Sequence, residues 1–162
     1  MGEPRVDRPE IPAEYGIGKA TEHVSWSHVE ERLAAARVYW LATVSAAGRP
    51  RVRPLDGLFV DGVLYVGGSP QTRWVQELVA NPKVSVHLDG SDDVVIVDGD
   101  AIVLQHGTDE FAERMAAASN AKYPEYGMTP ESYKGPGPIA ITPRKVIAWT
   151  NFMKDPTRFR FD

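Results

Sequence analysis

Not one cysteine occurs among the 162 residues. That absence excludes a disulfide scaffold, a thiolate metal site and a cysteine nucleophile, and it fits a reducing interior. No staple is needed, because a chain of this length makes one domain that buries roughly two-thirds of the surface its unfolded form would expose. A long apolar run is also lacking: the opening MGEPRVDRPEIPAEYG is polar and proline-rich, so neither a signal peptide nor a membrane anchor is expected, and the chain reads as a cytoplasmic protein without membrane association. Basic excess is missing too. A formal charge of -4 argues against nucleic acid as a partner, since tracking phosphates needs a basic face.

Signature motifs are as scarce. No GxGxxG opens a helix after a strand, no GxxxxGK[ST] occurs, and there is no G-x-S-x-G elbow. The four histidines, His23, His28, His87 and His106, have no metal-binding spacing, so they read as surface or satisfied core residues and no metal is expected. Asp92/Asp93 and Asp98/Asp100 fall in turns, where aspartate is favoured for its own hydrogen bonding; no catalytic constellation emerges.

What is present is strand material. Residues 1 to about 25 read as an extended arm broken by Pro4, Pro9 and Pro12, which a partner chain could order. A helix follows, with Ser27 and Glu30 as a capping box, Val29, Leu33 and Ala36 on one face, and an end near Arg37. VYWLATVS (38–45), a turn, a strand from Arg51, and a hairpin at Asp61-Gly62 give three antiparallel strands over about 38–67. Thr72 starts a short helix that Asn81-Pro82 stops. KVSVHLD is a further strand, and VVIVDGDAIVL is either a hairpin at Asp98-Gly99-Asp100 or one long strand with a bulge there. Thr108 caps a helix through about Asn120, and 122–138 is a long loop carrying three tyrosines before the strands IAI and KVIAWT. This order departs from βαβ alternation and suits a mainly β antiparallel barrel with peripheral helices.

Two basic features lie near strand and helix ends. Arg51 and Arg53 point to one face of an extended strand, as a solvent-facing edge or as a phosphate clamp, for which a guanidinium fork is suited. From Gly67 to Arg73 a helix start offers free N–H groups, the Thr72 hydroxyl and the Arg73 charge; it is equally a simple cap or an anion cradle. A cation in the first turn opposes the helix dipole, which tilts the choice toward a nearby anion.

The helix followed by VYWLATVSAAGRPRVRPLDG, the hairpin VDGVLYVGG, then SPQTRWVQELVANPKVSVHL, and the late PRKVIAWT with PTRFRF, resemble the pyridoxamine 5'-phosphate oxidase-like split-barrel superfamily of flavin and deazaflavin proteins. TRWVQELVANPKVS, from Thr72 to Ser85, is the most specific part, and the likeness spans about residues 26–162. The resemblance implies a six-stranded antiparallel split barrel, a homodimer with FMN or the deazaflavin F420 at its interface, and hydride transfer with a small planar substrate. It places Arg51, Val52, Arg53, Pro54 and Leu55 along the cofactor with Arg53 toward the phosphate. Gly67, Gly68 and Ser69 would lie close to it, Thr72 and Arg73 would hold the phosphate, and Trp149 would lie near the ring, from either subunit. It also implies one long strand bent at Gly99. Trp74 stands where many members have a second basic residue, and the C-terminal Arg-x-His signature of true pyridoxamine phosphate oxidases is absent, so vitamin B6 oxidation is not implied. Tyr126 and Tyr133 are candidate proton donors, and Arg5, Arg8 and Lys19 are candidates for holding an F420 tail. The alternative is a non-enzymatic protein of the same fold that stores FMN, F420 or haem.

Overall fold

A computed structural model describes residues 2–17 and 22–161; Lys19 lies outside them. Nine strands form one antiparallel sheet: β1 (Arg5–Asp7), β2 (Tyr39–Val44), β3 (Pro50–Leu55), β4 (Gly57–Val60), β5 (Val63–Val66), β6 (Lys83–Leu88), β7 (Val94–Val103), β8 (Ile139–Trp149) and β9 (Thr157–Arg160). Among the described residues three helices, α1 (Trp26–Ala35), α2 (Arg73–Ala80) and α3 (Asp109–Lys122), pack around it.

The sheet runs β1-β9-β8-β7-β6-β2-β3, and the chain then bends at Asp56 into β4, which pairs with β5, which pairs in turn with β8. With β3 and β4 counted as one bent run, β2, β3–β4, β5, β6, β7 and β8 make a circuit of six, the antiparallel split barrel anticipated from the sequence. Strand β8 makes the split. One edge follows β7 throughout; the other is divided between β5, against Ile139–Ile141, and β9, against Lys145–Ala148.

Alternation drives the core inward. Tyr39, Leu41 and Thr43 of β2 are fully buried while their neighbours are half-exposed, and Val95, Ile139, Ile141, Val146 and Phe159 join them. Asp61 and Gly62 turn the β4–β5 hairpin with φ of 52° and 79°, as an Asp-Gly turn matched to strand twist requires. Between β7 and β8 the register slips, Asp98 facing Lys145 and Gly99 facing Pro143, so Arg144 is the extra residue of a bulge. Strand β7 is therefore single and continuous. A Cβ on Gly99 would stand 2.6 Å from the Thr142 carbonyl oxygen, which is why glycine occupies the bend.

Several local expectations are corrected. Ser25 caps α1, its hydroxyl accepting from the His28 N–H at 3.2 Å; Ser27 lies inside the helix. The prolines of the N-terminal segment leave room for β1, which pairs with β9, and for a 3-10 turn at Ala13–Tyr15. IAI and KVIAWT are one strand, and β9 was not foreseen. The 122–138 loop is built from two 3-10 turns, Pro124–Tyr126 and Pro130–Tyr133, with Tyr123 buried among Leu58 and Met115. Its hydroxyl accepts from the Gly57 N–H at 3.2 Å and lies 3.0 Å from the carbonyl oxygens of Arg37 and Gly57, tying α3 to the β3–β4 bend.

Candidate functional site

Strand β3 shows Arg51, Arg53 and Leu55 on its half-buried face and Pro50, Val52 and Pro54 on its exposed one. Helix α2 lies beside that inner face, anchored by fully buried Val75 and Leu78. Its register brings Glu77, a largely buried carboxylate, between two of the arginines: Arg51 Nε and Arg73 Nε are each 3.3 Å from Glu77 Oε1. Arg53 donates to the fully buried Thr43 hydroxyl at 3.2 Å and sits 5.0 Å over the ring of Trp74. Burial pulls the Arg53 guanidinium below the usual arginine range; Glu77 partly restores it and Arg51 adds to the depression.

The positions Arg51, Arg53, Thr72 and Arg73, far apart in sequence, thus meet at the start of α2. Trp74 and Glu77 are the participants sequence reading did not place. Trp74 is the platform for Arg53, and its ring requires the glycine before it, since a Cβ on Gly68 would come 2.5 Å from Trp74 Cζ2. At Gly67 a Cβ would meet nothing within 4 Å, so the backbone there is open to approach. Glu77 was legible only as one turn after Arg73 on a helix face.

Thr72 occupies the N-cap position of α2, yet makes no cap bond: its hydroxyl donates to the Ser69 carbonyl oxygen at 2.7 Å, while Ser69 Oγ accepts from the Gln71 N–H at 3.3 Å. The first-turn N–H groups are left without a side-chain cap. Glu77 already balances the adverse position of Arg73 on the helix dipole, so that placement alone does not require an external anion. Charge counting is more informative. Arg51 and Arg73 share one carboxylate and Arg53 lies within its electrostatic influence, leaving an excess of two positive charges, close to the roughly −1.5 to −2 of a phosphate monoester at neutral pH. Arg51 Nε and Glu77 Oε2 are buried without a hydrogen-bond partner. The donor set fits a phosphate.

Next along the inner face of β3, Leu55 and the Gly67-Gly68 backbone form one end of a cavity of about 410 Å³. Its other walls are β5, through Tyr65, and the end of α3 with the 3-10 turns, through Tyr123, Tyr126 and Tyr133. The Tyr126 hydroxyl donates to Asp56 Oδ2 at 2.6 Å, a bond that raises its pKa and makes it a poorer proton donor. Tyr133 packs on the Leu58–Met115 cluster.

Trp149 is not brought to this site within one chain. It ends β8 opposite Val94, with its ring 5.3 Å from Phe152, whereas the register carries Arg53 across Leu41, Val86 and Val97 to Val146. On the N-terminal segment, Arg8 donates to the Glu22 carbonyl oxygen at 2.9 Å and Arg5 faces Arg160 in the β1–β9 pair, so neither adjoins the anion cluster. His28 pairs with Asp93 at 3.0 Å and His87 stacks on Trp40. Among the described residues no group of three potential metal-binding side chains is present, and no helix is long and apolar enough to cross a membrane.

Fold and cluster together define a split barrel with an arginine cluster at the start of α2 and an aromatic-walled cavity. The pyridoxamine 5'-phosphate oxidase family model matches residues 26–151, and the chain belongs to that family. No curated protein matches it. Among solved structures it is similar to a FAD-binding protein of Mesorhizobium loti (22% identity, covering 86% of this chain and 96% of that one, TM-score 0.59). An F420 reductase gives 20% identity, 72% and 94% coverage and TM-score 0.55. The heme storage protein HutZ of Vibrio cholerae gives 18% identity, 74% and 89% coverage and TM-score 0.59. At these identities the likeness is one of fold, and the fold houses flavin, deazaflavin and heme proteins alike.

Proposed function

We propose that this chain binds FMN or F420 and serves as an oxidoreductase for a small planar substrate, as a homodimer. The observation that carries the reading is the pairing of Arg51 and Arg73 with a single carboxylate, Glu77, with Arg53 on the adjoining Trp74 ring, beside the uncapped start of α2. Arg53, fixed between Thr43 and the Trp74 ring, is the best-oriented donor for a phosphate; Arg51 and Arg73 supply long-range charge. The phosphate would thus be held at one end of the β3 face, with Leu55 and the Gly67-Gly68 backbone lying toward the ring end. The cofactor, when bound, supplies hydride transfer; the protein orients it and walls off water, which is consistent with a site rich in binding groups and poor in acid–base pairs. Trp149 would reach the ring only from the second chain. Outward-facing Val52, 56% exposed, is an apolar contact available to that chain.

Identification of the small molecule released from purified protein, by absorbance and mass, tests the reading. FMN or F420 is expected, followed by loss of hydride from NAD(P)H or reduced F420 when acceptors are added. A charge-assisted hydrogen bond contributes about 1.5–3 kcal/mol, so Arg53→Ala should weaken cofactor retention about tenfold to a hundredfold. Unchanged retention in Arg53→Ala, or a haem spectrum from the purified protein, would overturn it; among the described residues no histidine lines the cavity.

A further inference from the structure

The cavity wall carries a charge pattern opposite to that of the anion cluster. Among the described residues no arginine, lysine or histidine lines it, and one ionisable carboxylate does: Asp56, exposed at the β3–β4 bend where the Tyr126 hydroxyl meets it. The nearest cations are turned away. Lys122 Nζ is engaged elsewhere, donating to the Tyr39 hydroxyl at 2.9 Å and the Gly57 carbonyl oxygen at 3.1 Å, and Arg37 covers the Tyr123 ring while pairing with Glu125. Tyr126, half-exposed, stacks on the buried Tyr123 ring at 5.3 Å with the planes 18° apart, which sets one aromatic ring beside the carboxylate. Asp56 keeps acceptor capacity beyond the one bond from Tyr126.

We infer that this cavity is the substrate subsite, and that it selects flat aromatic molecules that are neutral or singly cationic, with an N–H directed at Asp56, and rejects anionic ones. Phosphorylated or carboxylated substrates are thereby excluded from the ring end while the phosphate of the cofactor is accepted at the other. Its role as a substrate site rests on the cofactor reading; its charge preference depends only on residues of this chain.

Three indoles of nearly one shape separate the two. Calorimetric titration of the purified protein, as it carries its cofactor, should find tryptamine bound about tenfold more tightly than indole, and indole about tenfold more tightly than indole-3-acetate, for a charge several ångströms from a partly solvated carboxylate. Asp56→Asn should compress the three affinities to within about threefold, with indole itself changing least, because the charge term is removed while an amide oxygen still accepts its N–H. Cofactor retention, measured in parallel, should be the same in both proteins. Equal binding of tryptamine and indole-3-acetate, survival of the order in Asp56→Asn, or no binding of indole or tryptamine would overturn the inference. A protein that carries no FMN or F420 but still orders the indoles by charge would overturn the cofactor reading instead.

Discussion

Lys122 shows how burial acts on one side chain. Its ammonium is held against the Tyr39 and Tyr123 rings, at 5.0 and 5.6 Å, and burial, with a smaller contribution from Arg37, lowers its pKa from 10.5 to about 8. The folded state therefore holds fewer protons than the unfolded state between those values. Stability should rise as pH increases from about 8 to 10.5, and the cost of burying the charge is fully present below 8. Lys122→Met leaves the Tyr39 hydroxyl its bond to the Leu33 carbonyl oxygen and Gly57 O its contact with Tyr123. It should be stabilising by about 1 kcal/mol at pH 7, after allowance for solvent screening, with the advantage shrinking toward pH 10. Thermal melts of the two proteins across that range check the sign. At the same scale, Trp74 was legible only as a basic residue missing from a pattern. Its use as a platform for Arg53 depends on β3 and α2 lying side by side, which no local spacing encodes.

Among the elements, β9 and β1 close the far side of β8. Asp7 on β1 accepts from Arg158 Nε at 2.7 Å and from Arg160, and the Arg158 bond is the largest of the effects that draw its carboxyl below its ordinary 3.8. The clasp is complete above that ordinary value and is lost as pH falls through the lower folded one. Asp7→Asn should cost about 1 kcal/mol between pH 5 and 8, because these partners are only partly buried, and the difference from the parent should vanish in strong acid. Faster proteolytic cleavage before residue 10 in the variant is the companion measurement. None of this was readable beforehand, since a strand of three residues, Arg5–Asp7, has too little alternation to register. By contrast α3 was read with its cap, Thr108 Oγ1 accepting from the Phe111 N–H at 3.2 Å, because that signal is local.

For the molecule as a whole, the homodimer in the proposed function gives the plainest test. Val52, Val79 and Ile102 are 56%, 67% and 61% exposed, and Val52 lies between two prolines on an edge strand, where extension of the sheet is blocked but side-chain packing is not. Val52→Glu would place a charge in an apolar contact of β3. Light scattering after gel filtration should show the mass of two chains for the parent and of one for the variant, with reduced cofactor retention if Trp149 comes from the second chain; a dimeric variant that keeps its cofactor would remove β3 from the interface.

The sequence by itself determined the antiparallel strands, the Asp61-Gly62 hairpin, α2 and α3, and the arginine-rich face of β3, because turn residues, caps and period-two alternation act over a few residues. It also carried the family, whose model matches residues 26–151. Tertiary structure alone decided that β8 divides its edge between β5 and β9, that Ser25 and not Ser27 caps α1, and that Glu77 joins Arg51 to Arg73. It alone set the tyrosines of the 122–138 segment around a cavity reaching Leu55 and Gly67. Those outcomes depend on contacts between residues tens of positions apart, whose free energy is gained only when the sheet has closed and the helices have docked on it.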